Sequence, residues 1–315
     1  MNTENLKGVV VSVARSSLDV AKQSYEIGRK EFLGHWKTKR LLGLGLTFAA
    51  LFLLISIIAS YVTSRAIAKA GGYFSSSEFP NAGAMILMIV YTVTYFVIPL
   101  LAITLSFDSI VGEWQNKTIF LLLSKPVRRV SVVLGKLGGA FASIGVIFLP
   151  VAIIGYIAIL VNLNTAGVDV YWSDIGRTFA SFGIILLGLA AFASLGLLVS
   201  TMTKTTTSSI IRSAISWLVL FPMIGYSGSL IAVLYEKLPT ESALAKTTLY
   251  LNPGYCMKAA TSVIAPELYR FEEFSAFLPF VGVPASVGTS VLMLLLFTVL
   301  CTAGAGVIFW GRNLE

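Results

Sequence analysis

Charge is what this sequence has least of. Only 12% of its 315 residues are Asp, Glu, Lys or Arg, about half the share of an average soluble domain, while 56% are hydrophobic. So few charges cannot cover a water-soluble surface, and the chain belongs in a bilayer. Histidine occurs once and cysteine twice, which is too few for a metal-binding cluster. Cys256 falls in a segment expected outside the membrane and Cys301 deep in the last apolar run, so a disulfide between them is not expected. No phosphate-binding G-x-x-x-x-G-K-[ST] occurs. Its nearest match, Gly135-Lys136-Leu137, lacks both the earlier glycine and the hydroxyl, so the chain is not expected to hydrolyse ATP. The hydrolase and metalloprotease signatures G-x-S-x-G and H-E-x-x-H are absent as well, and no enzyme is expected. His35, beside Trp36, reads as an interfacial anchor rather than a catalyst.

What the sequence has instead is long apolar runs. Six are near the 20 or so residues that a helix needs to cross a bilayer: Leu41–Val62, Ala84–Phe107, Leu137–Val161, Thr178–Thr201, Ala214–Tyr235 and Ser286–Trp310. They are continuous rather than alternating, which excludes a β-barrel. The first lies too far along the chain, behind too charged a segment, to be a cleavable signal, and is read as a permanent span. The expectation is an all-α membrane protein in two parts. Residues 1–40 form an N-terminal segment with an amphipathic interfacial helix, and residues 41–315 a six-span domain with a long outer region at 236–285.

Lysine and arginine set the orientation. With the N-terminus inside, the inner segments carry 16 of the 23 bases and the outer segments seven. Both termini are therefore expected in the cytoplasm of a prokaryotic cell, with the chain in its plasma membrane. The net charge of +8 is accounted for by anionic headgroups, and no nucleic-acid partner is expected.

Before the first span, Leu18, Ala21, Tyr25, Gly28, Phe32 and Trp36 recur at helical spacing among charges. They read as one apolar stripe at the cytoplasmic interface, with a soluble coiled-coil arm as the alternative. Residues 1–14 read as a loose extension. Pro99, Pro150 and Pro222 lie inside spans, where bends are expected. Gly183, Gly188, Ala193, Gly196, Gly304 and Gly306 suit close helix packing. The outer region, punctuated by prolines, reads as short helices on the outer membrane surface.

No acid or base lies well inside a span, and no internal repeat is evident. Both facts weigh against proton- or sodium-coupled transport. Met85 and Met88, and the adjacent Cys256-Met257, suggest copper only weakly, since methionine is a common apolar filler.

One segment interrupts this pattern. Residues 107–136, "FDSIVGEWQNKTIFLLLSKPVRRVSVVLGK", join acids, bases and a Leu-rich run too short to span. Gly112 and Glu113 suit a helix start, Pro126 stops its continuation, and Glu113 has Arg128 or Lys136 as a candidate ion-pair partner. The run Ile119–Leu123 reads as a docking face, or alternatively as an interfacial anchor.

This segment resembles the cytoplasmic signature of the permease subunits of type-2 ABC exporters. Phe107, Asp108, Ile110, Gly112, Glu113, Thr118, Leu121 to Leu123, Pro126, Arg128, Gly135 and Lys136 match it, and Lys117 departs from it where glycine is usual. "IGRKEF" (27–32), "LNP" (251–253) and "GRNL" (311–314) agree in order. The likeness is nearest to the branch that includes the permeases accompanying nitrous-oxide reductase maturation.

The resemblance implies six spans, a pair of permease subunits (homo- or heterodimer), and a separate ATPase subunit that binds ATP and Mg. It implies a coupling helix over Glu113–Ser124, with Gly112, Glu113, Trp114, Thr118, Leu121, Leu122, Pro126 and Arg128 as ATPase-coupling residues. A second coupling loop would hold Lys204 and Arg212. The alternative function is a stand-alone channel or uniporter, or the membrane anchor of a maturation complex.

Overall fold

The computed structural model describes residues 3–69, 87, 90–91, 94–95, 97–124, 127–165, 172–220, 234, 247, 249–264 and 286–311. Those residues are helical with short turns, and no strand occurs among them. The helices are α1 (Thr3–Lys37), α2 (Arg40–Lys69), α3 (Ile98–Ser106), α4 (Val111–Gln115), α5 (Thr118–Leu123), α6 (Arg129–Thr165), α7 (Trp172–Met202), α8 (Thr206–Leu218), α9 (Pro253–Met257), α10 (Ala259–Ile264) and α11 (Val287–Gly311).

Four stretches among the described residues are long and apolar enough to cross a membrane: Arg40–Arg65, Arg129–Thr165, Ile175–Met202 and Val287–Gly311. They correspond to the first, third, fourth and sixth expected spans. Of the second, the best-described part is α3. Of the fifth it is α8, and Pro222 lies outside the described residues.

The bundle is built around α7, most of which is buried, whereas α2 and α11 keep most of their surface open. α11 and α3 pack on α7, and α2 packs on α6. Rings tie these elements together: Phe48 and Phe52 of α2 meet Phe148 of α6 and Tyr91, and Tyr91 and Phe148 both set edge-on to Phe182 of α7 at 6.3 and 6.0 Å. Edge-on contacts at this spacing suit the ring quadrupoles.

Proline acts differently in two places. Pro150 sits inside α6, where the membrane bundle accommodates its missing N–H. Pro99 stands in the first turn of α3, after turn residues at 95 and 97. The helix has broken before the proline and restarts where Pro is tolerated, so Pro99 opens a helix rather than bending one.

The N-terminal part differs from expectation in two ways. Helix α1 starts at Thr3, so residues expected to be loose continue it. The expected apolar stripe is also divided. Leu18, Tyr25 and Trp36 are exposed, while Gly28 turns with Ile27, Glu31 and His35 toward α6. This second face has small and polar residues because two helix backbones meet there. A Cβ on Gly135 would lie 2.6 Å from the Ser24 carbonyl oxygen, and one on Gly139 would lie 2.6 Å from that of Gly28. Both clashes are with backbone, which cannot swing aside.

The outer segment differs most. Asn252 caps α9 by accepting from the Gly254 N–H at 2.8 Å. From Asn252 to Met257 every side chain is buried, and α9 and α10 pack on α7 and α11. Met257 occupies the space beside Gly188, close enough that a Cβ there would collide with its side chain. An apolar run flanked by prolines suits a membrane surface or a bundle interior equally well, and here the notch at Gly188 takes the segment inside. Among the other expected packing glycines, Gly196 and Gly304 meet side chains of α3 and α7, whereas Gly183 and Gly306 face open space.

At its far end α11 is capped from outside. Arg129, first residue of α6, donates through Nη1 to the carbonyls of Phe309 and Trp310. These are among the last carbonyls of a helix, which lack partners of their own.

Replacing Gly139 with valine should separate α1 from α6 and lower stability by about 1–3 kcal/mol, read as a fall in the thermal unfolding midpoint. The neighbouring Gly138 faces open space, and Gly138→Ala should leave the midpoint unchanged or raised.

Candidate functional site

The turn between α3 and α4 is the most heavily bonded part of the basic end. A chain reversing there exposes backbone groups that need partners. Ser200 Oγ, near the end of α7, accepts the N–H groups of Ile110 at 3.1 Å and Val111 at 3.0 Å. Ser209 of α8 donates its hydroxyl to the Phe107 carbonyl. Gln115 Oε1 accepts from both the N–H (3.2 Å) and the hydroxyl (3.0 Å) of Thr206, the first residue of α8. Thr205 caps that helix by accepting from the Ser208 N–H at 3.2 Å. The two segments expected to be separate inner loops are thus bonded to each other.

Charges reinforce the same joint from the other side. Lys136 of α6 is 1% exposed, and its Nζ lies 2.9 Å from Glu31 Oε2 and 3.2 Å from Glu113 Oε1. Lys30 Nζ approaches Glu113 Oε1 at 3.4 Å from the open side. Arg40, at the start of α2, pairs with Asp108 at 2.6 Å. Two bases and two acids around Lys136 balance, which buried charges require. Glu113 Oε2 is buried and has no hydrogen-bond partner.

Burial pushes the Glu31 carboxyl up, but the Lys136 ammonium beside it outweighs this and holds it below the usual value. Burial pushes His35 down, Arg40 and Lys136 add to the effect, and Glu31 and Asp108 oppose it without reversing it. His35 is 5% exposed, with Nε2 unpartnered. It is therefore a neutral, buried part of the joint rather than an interfacial anchor; Trp36 beside it is the exposed residue.

The expected coupling helix Glu113–Ser124 is two short helices. Between α4 and α5, Lys117 adopts φ 58°, ψ 10°, a left-handed conformation that costs a residue with a Cβ roughly 1–2 kcal/mol. This is the position at which the resemblance noted above has glycine. The turn survives the substitution and carries its strain.

The remaining expected site residues are distributed as follows. Gly112 donates its N–H to the Asp108 carbonyl at 2.8 Å. Trp114 is half-buried, its ring 6.4 Å from that of Phe120. Thr118 is exposed and donates its hydroxyl to the Glu113 carbonyl at 3.3 Å. Ile119 is buried in a base cluster with Ile27, Ile110, Val132 and Phe309, whereas Phe120 is 43% exposed. Leu121 and Leu122 continue α5, and Pro126 lies outside the described residues. Arg128 does not reach Glu113. Its side chain is exposed, and its N–H donates to Gln23 Oε1 of α1 at 3.1 Å. Lys204 and Arg212 are both exposed.

Sequence reasoning missed Lys30 and Glu31 as partners of the joint, although both stand in the "IGRKEF" match. It also missed Ser200 and Gln115, for which composition gives no signal.

Comparison with known proteins adds to this geometry. The family model for ABC-2 family transporter proteins matches residues 25–314. Two curated relatives both carry the name probable ABC transporter permease protein NosY. The one from Stutzerimonas stutzeri is 30% identical over 156 residues, 48% of this chain and 51% of that protein. The one from Pseudomonas aeruginosa is 30% identical over 132 residues, 42% of each chain. The match thus spans about half the length of these relatives.

Two outcomes are expected of the joint. Acidification should weaken it in two steps. A free histidine takes up a proton near the ordinary value of 6.5 while the folded His35 resists, so stability falls as pH drops through that value. The depressed Glu31 stabilises the fold above its ordinary 4.5, and that contribution is lost only at lower pH. Unfolding midpoints between pH 7.5 and 5.5 should decline in the parent and flatten in His35→Gln. Separately, Lys117→Gly should be neutral or stabilising by up to about 1 kcal/mol, and Lys117→Ile should destabilise, both read from the same midpoint.

Proposed function

The chain belongs to the ABC-2 family of transporter membrane proteins, and from that premise we propose that it is the membrane-spanning permease subunit of an ATP-driven exporter. ATP and Mg are bound by a separate ATPase subunit, and a second permease subunit completes the pathway. The basic end faces the cytoplasm of a prokaryotic cell and carries both termini. The exposed apolar residues Leu18, Tyr25 and Trp36 of α1 rest in the headgroup layer of the plasma membrane there. The large open faces of α2 and α11 meet lipid or the second subunit.

The observation that carries this reading is the joint at residues 107–118. It is bonded at once to α1, α6, α7 and α8, while Phe120 beyond it is left exposed. A displacement applied at α5 by an ATPase is delivered to four helices together. Coupling requires that the contacts differ between the two states of the ATPase. The exposed Phe120 ring supplies contacts that can be made and released. Lys204 and Arg212, on the loop and helix tied to Gln115, add a second contact with the same subunit. A stand-alone channel or a membrane anchor leaves this arrangement without a use.

Phe120→Asp places a charge on the proposed docking face without touching the buried cluster. It should reduce co-purification of the ATPase subunit at least tenfold while the unfolding midpoint stays within two degrees or so of the parent. Full retention of the ATPase by this variant overturns the docking role. Glu113→Gln should instead retain the ATPase subunit and slow ATP hydrolysis by the complex at least fivefold.

A further inference from the structure

Besides Lys136, a second base is carried inward, on the described part of the outer segment. Lys258 follows Met257 at the joint between α9 and α10, and its height is fixed by two independent contacts. Met257 fills the notch at Gly188, close to the middle of the 28-residue stretch Ile175–Met202, so about 20 Å from either end at 1.5 Å per residue. Lys258 Nζ also stands 6.0 Å from the centre of the Tyr95 ring. Tyr95 is one turn beyond Tyr91, whose ring sets edge-on to Phe182 of α7. Phe182 is two turns from Ile175, so this second route gives roughly 16 Å from the same end. The apolar core of a bilayer is about 30 Å thick, and both routes place Lys258 near its midplane.

A lysine near a membrane edge extends its charge to the headgroups, but the stem is short against the roughly 15 Å from midplane to headgroup. No ion pair with Lys258 occurs among the described residues. The aromatic face of Tyr95 is its partner, an attraction weaker than a carboxylate would give. Part of the residue's surface is left uncovered by the protein. Charges inside a membrane protein mark substrate or ion pathways when they face its interior.

We propose that Lys258 binds the anionic group of an amphipathic substrate midway through the membrane, with the Tyr95 ring beside it. This rests on the transporter reading above and narrows the substrate class.

The test uses the full chain with its ATPase subunit in phosphatidylcholine nanodiscs. Reductive methylation of Lys258 is followed by mass spectrometry with hexanoate, hexanol, or phosphatidylglycerol mixed into the disc, and exposed Lys204 serves as internal reference. Hexanoate should slow methylation of Lys258 at least tenfold with saturation, hexanol should change it less than twofold, and Lys204 should respond to neither. Protection by phosphatidylglycerol instead identifies the anion as a lipid headgroup and also supports the site. Equal protection by hexanol, or protection by neither anion, overturns the proposal. Lys258→Arg should keep ligand-dependent changes in ATP hydrolysis, and Lys258→Met should raise their half-saturation at least tenfold. Co-purification and basal hydrolysis are measured on the same sample, so loss of the ATPase with protection intact removes the permease reading and leaves the anion site standing.

Discussion

Lys136 is sealed from water at the foot of α6, and the rest of the basic end is arranged around the cost of keeping it there. Removing a charge from water costs several kcal/mol after relaxation. The ammonium is answered by Glu31 from α1 and Glu113 from α4, two elements far apart in the chain. Glu31 reaches it only because α1 lies against glycines: a Cβ on Gly139 would stand 2.7 Å from the Glu31 Cβ. The close crossing and the ion pair are therefore one constraint. A larger residue at 139 moves the carboxylate as well as the helix, and losing one partner of a buried pair costs about 3–5 kcal/mol.

The arrangement makes α1 part of the joint and more than a surface appendage. It supplies one carboxylate to the buried lysine, a second lysine to Glu113 and, through Gln23, an acceptor to the N–H of Arg128 and the hydroxyl of Ser131. The same acidic residue, Glu113, is thus gripped by α1 and α6 while its helix is tied to α8 through Gln115. Movement of α4 alone would break bonds on both sides. Movement of the joint as a unit keeps them, which is what a mechanical link requires.

The large features were legible in the sequence because they depend on composition over many residues. Four of the expected spans appear as helices crossing the bundle, and the interruption at 107–136 marks the joint. Partner choice was less legible. Of the two partners expected for Glu113, Lys136 pairs with it and Arg128 does not, while Lys30 was not foreseen; the turn at Lys117 divides the expected helix, and the N–H of Arg128 meets Gln23. The left-handed turn at Lys117 was signalled only by the glycine usual at that position in the resemblance. The described part of the outer region, residues 249–264, holds short helices as expected, but packed on α7 and α11. Hydropathy cannot separate a helix on a membrane surface from one seated in a protein notch, and the notch is a single absent Cβ at Gly188.

Arg129 has a consequence for how the last helix behaves. α11 leaves most of its surface open and packs along one side on α7. Its final carbonyls, however, are held by the first residue of α6, seven residues from Lys136. A helix with most of its surface open is tethered at its foot to the element that bears the buried charge. It can pivot about that foot like a hinged post, but axial travel would strip a guanidinium from two carbonyls, so α11 is tied to the position of the joint.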